Sequence, residues 1–157
     1  MLKKVLSPQT CAKCRICCCF DDDDIWETPV IEKKLIDGIG EKLPEAELIP
    51  HGGHYLFKME KEKGEELYFC PGLDREKGCT LGSCKPFDCT IWPFRVMKLG
   101  EKNVLTLSPV CPHIGESPFN DIMAVAAEVA PKAFAYAKES PEAVKDYISG
   151  YPILAIE

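Results

Sequence analysis

The feature that most constrains this chain is a run of five cysteines within nine positions, in the segment CAKCRICCC at residues 11–19. Cys11, Cys14 and Cys17 follow one another at intervals of three. In an irregular loop, that spacing lets sulfur atoms converge on one metal centre, and both zinc sites and iron–sulfur sites use the Cys-x2-Cys pair. The spacing therefore predicts a metal site and leaves the choice between zinc and iron open.

The compartment decides what clustered thiols do. The first ten residues, MLKKVLSPQT, contain no apolar stretch of about seven or more residues, so we expect no secretory signal. The chain also has no apolar run of about eighteen residues, so we expect no membrane span. We therefore expect a cytoplasmic protein, in which clustered cysteines bind metal more often than they form disulfides. The alternative is an exported chain whose signal has been removed.

Charge and motifs exclude several classes of function. The 157 residues carry 25 acidic against 19 basic side chains, a net charge of −6, which argues against binding to nucleic acid. The dinucleotide-binding glycine motif, the P-loop, the Gly-x-Ser-x-Gly elbow and the His-Glu-x-x-His motif do not occur in the sequence. We therefore predict no catalytic residue and favour a binding protein over an enzyme.

The length and composition predict one small α+β domain over residues 1–157, with little regular sheet. We expect a metal-stabilised cysteine-cluster core at about 11–115, built from short hairpins and cysteine-rich loops closed over metal. A helical C-terminal cap should follow at about 117–150.

Local signals place the first elements. Thr28 and Pro29 are suited to start a helix that Gly38 or Gly40 would stop. The cysteines are expected to lie outside such regular elements, in loops and at strand ends.

Two hairpins are predicted from strand-like segments. Residues 41–50 contain two prolines and indicate a loop, after which 54–60 and 65–70 should pair as strands. A second hairpin should join 94–99 to 103–107, because the intervening GEK contains the glycine that such a turn favours.

The cap is predicted to be helical. Ser117-Pro118 should start one helix that Pro131 kinks or ends, and Ser140-Pro141 should start another that reaches Gly150. The side chains expected to be at least partly buried are Ile122, Val125, Val129, Phe134 and Tyr136.

A second block of cysteines lies more than fifty residues beyond the first. Its segment, CPGLDREKGCTLGSCKPFDC, is rich in glycine and proline, as a ligand-bearing loop should be. The cysteines of this block are Cys70, Cys79, Cys84 and Cys89, and Cys111 follows later. The alternative for some of them, above all for Cys84 and Cys19, is a role as a small buried apolar residue.

These motifs resemble those of the YkgJ-type cysteine-cluster family, whose members are described as zinc- or iron-chelating domains. The hallmark Cys-x2-Cys-x2-Cys-Cys is matched by Cys11, Cys14, Cys17 and Cys18. The later family motifs are matched by Cys70 with Leu73, Gly78-Cys79, Lys85-Pro86, Cys89, Trp92-Pro93 and Cys111-Pro112. The resemblance covers roughly residues 11–115 and implies metal binding.

The resemblance implies eight metal ligands, namely Cys11, Cys14, Cys17, Cys18, Cys70, Cys79, Cys89 and Cys111. Eight thiolates suffice for two four-cysteine sites or for one site with additional ligands, and the sequence does not divide them. Three positions depart from the family pattern. Lys85 and Thr90 stand where the family has arginine, and Arg15 stands where it often has glycine. Because lysine does not reproduce the planar contacts of arginine, anion binding is not carried over.

An iron–sulfur cluster, of the 4Fe–4S type, is favoured over zinc. The Cys-x2-Cys-x2-Cys run is close to the bacterial ferredoxin pattern. The similar cysteine region of the flagellin lysine-methylase family is associated with an iron–sulfur cluster. We therefore predict one or two cysteine-ligated clusters that serve in electron transfer or redox sensing. The alternatives are a structural zinc or metal-chaperone module, and an accessory subunit or small enzyme of methyl-transfer type.

The acidic run Asp21–Asp24 follows the first cysteines directly. Such a run usually only solvates a loop, and its functional interpretation is a patch that steers a redox partner with a basic surface. His51 and His54 are expected to be structural or exposed. His113 is the better candidate for a hydrogen bond to a ligating thiolate.

Overall fold

The computed structural model describes residues 2–24, 26–61 and 63–157. The α-helices of the described residues are Pro8–Cys14 (α1), Ile36–Lys42 (α2), Phe87–Ile91 (α3) and Phe119–Glu139 (α4). The strands are Cys19–Phe20 (β1), Leu48–His51 (β2), His54–Phe57 (β3), Tyr68–Phe69 (β4), Leu73–Asp74 (β5), Gly78–Cys79 (β6), Phe94–Leu99 (β7), Lys102–Leu107 (β8), Lys145–Asp146 (β9) and Ile153–Ile156 (β10). This is the small α+β fold with short antiparallel hairpins that the sequence predicts.

The chain divides into two compact units. Residues Cys11–Thr90 form the first, which we call the thiol unit because it contains nine of the ten cysteines. Met1–Thr10 and Ile91–Glu157 form the second, which we call the sheet unit. The thiol unit is therefore a continuous segment inserted into the sequence of the sheet unit, and the predicted cysteine core at about 11–115 extends past its boundary.

The sheet unit is built on a four-stranded sheet in the order β10-β8-β7-β9. The predicted hairpin between 94–99 and 103–107 is confirmed, since β7 and β8 pair antiparallel from Phe94 opposite Leu107 to Leu99 opposite Lys102. Gly100, in the turn between them, has φ +60°, which a side chain would strain. Strand β10 joins β8 antiparallel, and β9 joins β7 parallel.

Helix α4 packs on the sheet through an apolar stripe. The residues predicted to be buried are buried, except that Phe134 is only partly so. The prediction that Pro131 kinks or ends this helix is wrong as to its end, because α4 continues to Glu139. Burial of residues on both sides of the proline, such as Val129 and Ala133, offsets its local cost of about 3 kcal/mol. In the described part of the chain, no helix has the length and apolar character needed to cross a bilayer.

The predicted second cap helix, from Ser140-Pro141 to Gly150, is wrong. Pro141–Ala143 form a single 3₁₀ turn, after which the backbone enters β9 and then β10. Gly150, with φ +100°, lies in the turn before β10. Pairing with β7 and β8 gives this backbone its hydrogen-bond partners, so the sheet takes a segment that local signals assign to a helix.

The described residues of the thiol unit form two-stranded ladders only, together with a small apolar cluster. The buried members of the cluster are Phe20, Ile31, Ile39, Phe57, Met59, Cys70 and Leu81. The predicted pairing of 54–60 with 65–70 is wrong, because β3 pairs with β2 and β4 pairs with β1. Residues 41–50 are accordingly not all loop. The period-two pattern identified strand-forming segments but not their partners.

The predicted helix start at Thr28 is also wrong. The Thr28 hydroxyl donates to the carbonyl of Asp24, 2.7 Å away, and does not cap a helix. Ile31 exchanges two backbone hydrogen bonds with Tyr55, of 2.8 and 3.0 Å, which holds this segment extended. Helix α2 begins later, at Ile36, and passes through both Gly38 and Gly40 to Lys42.

Candidate metal centre

The first cysteine segment is a short helix followed by a reversal at Arg15. Helix α1 contains Cys11 and Cys14, so the expectation that the cysteines lie outside regular elements is wrong for them, as it is for Cys89 in α3. Arg15 has φ 59° and ψ 1°, in the left-handed region. The chain then forms a 3₁₀ turn at Ile16–Cys18. Glycine is the residue best suited to this conformation, and this is the position where the resembled family often has glycine.

Arg15 connects both cysteine blocks. Its Nη1 donates to the carbonyl of Arg75, 2.7 Å away, in the turn between β5 and β6. Its own carbonyl accepts a bond of 2.9 Å from the Cys18 N–H and one of 3.4 Å from the Cys19 thiol. One residue therefore fixes the direction of the chain between Cys14 and Cys18 and ties it to the second block.

Two close approaches bring the second cysteine block against the first. The Cys70 N–H donates to the Cys18 carbonyl at 2.9 Å, which continues the β1–β4 ladder by one residue. In the β5–β6 hairpin, Gly78 has φ +82°, and a Cβ there would lie 2.9 Å from Cα and Cβ of Ala12 in α1. Glycine at position 78 therefore allows the hairpin that carries Cys79 to lie directly against the helix that carries Cys14.

The hairpin and α3 are themselves held by carboxylates. Asp74 Oδ1 accepts the N–H groups of Glu76 and Lys77, each at 2.8 Å, and so fixes the turn before Cys79. Glu32 Oε1 accepts the Phe87 N–H at 3.2 Å, at the start of the helix that carries Cys89. The second Glu32 oxygen is buried and has no hydrogen-bond partner in the described part of the chain.

Cys17 and Cys18 form a hydrogen-bonded pair of thiols with opposite pKa shifts. The hydrogen bond from Cys18 does most to lower the pKa of Cys17, burial opposes it, and a backbone hydrogen bond and the nearby Lys85 ammonium assist; together they bring the pKa to about 7. The same hydrogen bond raises the pKa of Cys18, and burial and the charges of Cys17, Cys70 and Cys89 raise it too. When this pair loses one proton, the proton that remains is therefore held mainly on Cys18.

Burial and mutual repulsion raise the pKa of three further thiols. Burial raises the pKa of Cys70 to about 12, although the Gly72 N–H partly opposes the shift. Burial also raises the pKa of Cys89 well above its usual range, and that of Cys19 in spite of the Arg15 charge. Neighbouring thiolate charges add to all these shifts. The thiols that influence one another in this way are Cys14, Cys17, Cys18, Cys19, Cys70, Cys79 and Cys89.

The remaining cysteines have other surroundings. Cys11 is exposed on α1, and Cys111 is buried within the sheet unit. Cys84 packs against α2, because a Cβ at Gly38 would lie 2.6 Å from its sulfur. Cys84 therefore fills space in the apolar cluster. Cys19, which the resemblance leaves out of the ligand set, is one of the seven interacting thiols.

The histidines lie in the environments that their neighbours impose. His51 is exposed and His54 is buried, opposite each other in the β2–β3 hairpin. His113 Nδ1 lies 2.9 Å from Glu116 Oε1, in the sheet unit. Over residues 2–24, 26–61 and 63–157, no three or more His, Cys, Asp or Glu side chains stand in an arrangement that would already hold a metal ion.

Two structural residues of the site were missed at the sequence level. The sequence indicates Gly78 only as part of a Gly-Cys motif, and it gives no signal for Glu32. The positive φ of Gly78 and its contact with Ala12 give that glycine a physical role that the motif alone does not state. Glu32 acts across 55 positions of sequence, so no local pattern could have identified it.

Comparisons with protein-family models, with curated proteins and with solved structures found no match to this chain. The resemblance to the cysteine-cluster family therefore stays a prediction that rests on the motifs themselves.

Proposed function

We propose that this protein binds metal through the cysteines of the thiol unit, most naturally as one or two iron–sulfur clusters that serve in electron transfer or redox sensing. The observation that carries the proposal is the group of seven thiols whose charges act on one another, four of them with pKa values that burial and repulsion help to raise. A bound metal cation removes that repulsion and deprotonates the thiols that coordinate it. The donor set thus fits a thiophilic metal.

The number of thiols favours more than one four-ligand centre, and the Cys-x2-Cys-x2-Cys run favours iron–sulfur over zinc. A structural zinc site is closed by four ligands, whereas seven interacting thiols exceed that number. A 4Fe–4S cluster takes four thiolates as well, but two centres, or one with adjacent exchangeable thiols, use more of the set. Of the eight cysteines in the predicted ligand set, six belong to the group of seven, which supports those six most directly.

The chain's own groups are suited to holding thiolates. The Gly72 N–H donates to the Cys70 sulfur, and the Lys85 ammonium lies close enough to Cys17 to stabilise its negative charge. When bound, a cluster would supply one-electron chemistry at a potential set partly by such donors. Ligation would replace the Cys17–Cys18 hydrogen bond and the bond from Cys19 to the Arg15 carbonyl, so the sulfurs must shift as metal enters.

Anaerobic purification followed by elemental analysis and a visible spectrum tests this proposal. We expect iron, acid-labile sulfide and broad absorption near about 400 nm. Stoichiometric zinc in a colourless protein would favour the structural zinc module. The physical reason for that alternative is that the apolar cluster of the thiol unit is small, so a structural metal would add to its stability. A protein without either metal after anaerobic growth with supplied iron would defeat both.

Single serine variants assign the ligands. Cys11→Ser, Cys14→Ser and Cys17→Ser should each lose bound metal. Cys84→Ser is the matched control. Because Cys84 packs against Gly38, we expect the Cys84→Ser variant to keep its metal. Full metal retention in all three test variants would contradict the proposed site.

We also propose a redox partner with a basic surface, because of the acidic run. The proposed function implies that the two proteins meet in the reducing cytoplasm. Asp21–Asp24 are exposed and follow directly after β1. Two of them support the local turn, since Asp22 accepts the Asp23 N–H and Asp24 the Glu27 N–H, at 2.9 and 2.8 Å. Asparagine retains an acceptor oxygen at each position, so the fourfold Asp→Asn variant removes charge and preserves those hydrogen bonds.

Reduction kinetics test the partner proposal. If the run steers a basic donor, the fourfold variant should be reduced more slowly at low salt with an unchanged cluster spectrum. The wild-type rate should fall as salt rises, because the Debye length shrinks to about 8 Å near physiological ionic strength. Equal rates for both proteins at low salt would show that the run only solvates its loop.

A further inference from the structure

Cys18 and Cys70 lie opposite each other at the end of the β1–β4 ladder. Cys19 pairs with Phe69, and the next step of the ladder is the 2.9 Å bond from the Cys70 N–H to the Cys18 carbonyl. The Cys18 N–H donates to the Arg15 carbonyl, so Cys18 and Cys70 make one of the two bonds that a full antiparallel pair exchanges. The Cα atoms of such a pair are about 5.5 Å apart. That separation lies within the range of about 4.4–6.8 Å that disulfides require.

Both side chains also reach the same apolar cluster. Cys70 is one of its buried members, and Cys18 packs against it. The charge of Cys70 acts on the Cys18 thiol, which agrees with this shared location.

Competing pairs are less suited to a disulfide. Cys17 and Cys18 are hydrogen-bonded through sulfur, but adjacent Cα atoms are about 3.8 Å apart, below the usual disulfide range. Cys79 faces Leu73 in the β5–β6 hairpin, so its cross-strand partner is not a cysteine. Cys18 and Cys70 are the pair that a backbone hydrogen bond joins directly.

We propose that Cys18 and Cys70 form a reversible disulfide when the metal-free protein meets a peroxide. One of the two thiols ionises and attacks the peroxide, and the second thiol displaces water from the sulfenic acid so formed. Because the pKa values of both thiols are raised, this oxidation is slow at neutral pH and faster at alkaline pH. Overall, two S–H bonds break and one S–S bond forms. The two electrons reduce the O–O bond of hydrogen peroxide, and the two thiol protons complete two molecules of water. The disulfide removes two ligands of the proposed centre, so oxidised protein should not take up metal until a thiol reductant reopens it. Only this last consequence rests on the proposed function.

Tryptic mapping of the oxidised protein tests the pairing directly. Metal-free protein is treated with hydrogen peroxide, alkylated and digested without reduction. Trypsin releases Cys70 alone on residues 64–75, and Cys17, Cys18 and Cys19 together on 16–33. Cys79, Cys84 and Cys89 remain on 78–95, because Pro86 blocks cleavage after Lys85. We expect 16–33 joined to 64–75, in a species that dithiothreitol separates.

Fragmentation of that joined species should place the bond at Cys18, which requires no variant that could misfold. Cys18→Ser should abolish the species, whereas Cys17→Ser, Cys19→Ser and Cys79→Ser should retain it. Peptide 64–75 joined to 78–95, or a bond located at Cys17 or Cys19, would overturn the proposal.

A final arm separates this proposal from the proposed function. Iron and sulfide are offered to oxidised protein before and after reduction. Metal uptake only after reduction supports the switch. A mapped disulfide in a protein that never takes up metal supports the disulfide and defeats the proposed function, and uptake by protein with the disulfide still closed defeats the switch alone.

Discussion

The sheet unit and the thiol unit obtain their order in different ways. In the sheet unit, six-residue strands and a 21-residue helix bury side chains such as Leu105 and Val125 completely. In the described part of the thiol unit, the three strand pairs are only two to four residues long. One of the buried cluster members there is a cysteine. Isolated two-stranded hairpins are marginal in water. We therefore expect apolar burial to suffice for the sheet unit, and the thiol unit to gain much of its stability from what its thiols bind.

Removal of metal should have the largest effect on the difference between the two units. We expect amide protection in residues 11–90 to fall by about a thousandfold or more, because structural metal sites contribute on the order of 10 kcal/mol to folding. Protection in 91–157 should change by less than about tenfold. Hydrogen exchange followed by mass spectrometry, with and without a chelator, measures both at once. Equal protection of residues 11–90 in both states would mean that the thiols are peripheral to folding.

Gly78→Ala should destabilise the metal-loaded thiol unit by about 2–4 kcal/mol. Positive φ costs an alanine roughly 1–2 kcal/mol, and the contact with Ala12 adds an overpacking cost of roughly 1–3 kcal/mol. Denaturant unfolding, followed by the cluster spectrum, gives the change in free energy.

Gly64→Ala is the matched control for Gly78→Ala. Gly64 has φ +92°, and a Cβ there would meet nothing within 4 Å, so only the backbone cost remains. The double variant Ala12→Gly, Gly78→Ala should recover part of the loss. Identical costs at Gly64 and Gly78 would show that the hairpin does not press on α1.

Alkylation should distinguish Cys17 from its neighbour Cys18. In reduced, metal-free protein, iodoacetamide labelling of Cys17 should rise with pH and reach half its maximum at about pH 7, since its pKa is about 7 and the thiolate is the nucleophile. Cys18, whose pKa is raised, should remain nearly unlabelled there. Time-resolved peptide mass spectrometry from pH 5 to 10 gives both curves, and coincident curves would contradict the unequal sharing of the proton.

Substitution of Arg15 should have the smallest effect. Arg15→Ala and Arg15→Gly both lose the bond to the Arg75 carbonyl, but only glycine relieves the positive φ. The Arg15→Gly variant should therefore be more stable than the Arg15→Ala variant by about 0.5–1 kcal/mol, after allowing for the greater freedom of glycine in the unfolded chain. Chemical unfolding of the two variants side by side provides the measurement, and a more stable alanine variant would argue against a left-handed residue 15.

Local chemistry predicted the elements whose partners are close in sequence. The β7–β8 hairpin has its strand pattern and turn glycine within fourteen residues, and the start of α4 follows from Ser117-Pro118. The fold class followed from the same short-range signals.

Pairings over longer distances could not be predicted in this way. The partner of Ile31 is Tyr55, that of Cys19 is Phe69, and the helix of Cys89 is held by Glu32. In each case, a local signal was outweighed by a hydrogen bond or a packing contact whose other member lies at least twenty-four positions away. The cysteine spacing predicted a candidate site, but the contribution of Cys19 and the packing role of Cys84 depend on such contacts.

The interruption of the sheet unit by the thiol unit has a consequence for biosynthesis. Translation proceeds at about 5–20 residues per second, so residues 91–157 appear roughly 3–13 seconds after Thr90 is joined. When Thr90 is joined, all nine cysteines of the thiol unit have been synthesised, while no strand of the four-stranded sheet yet exists. Val5 and Leu6 are buried in the finished sheet unit, whose remaining residues, 91–157, are synthesised only after the thiol unit. The nascent thiol unit is thus the first part of the protein able to meet metal or oxidant.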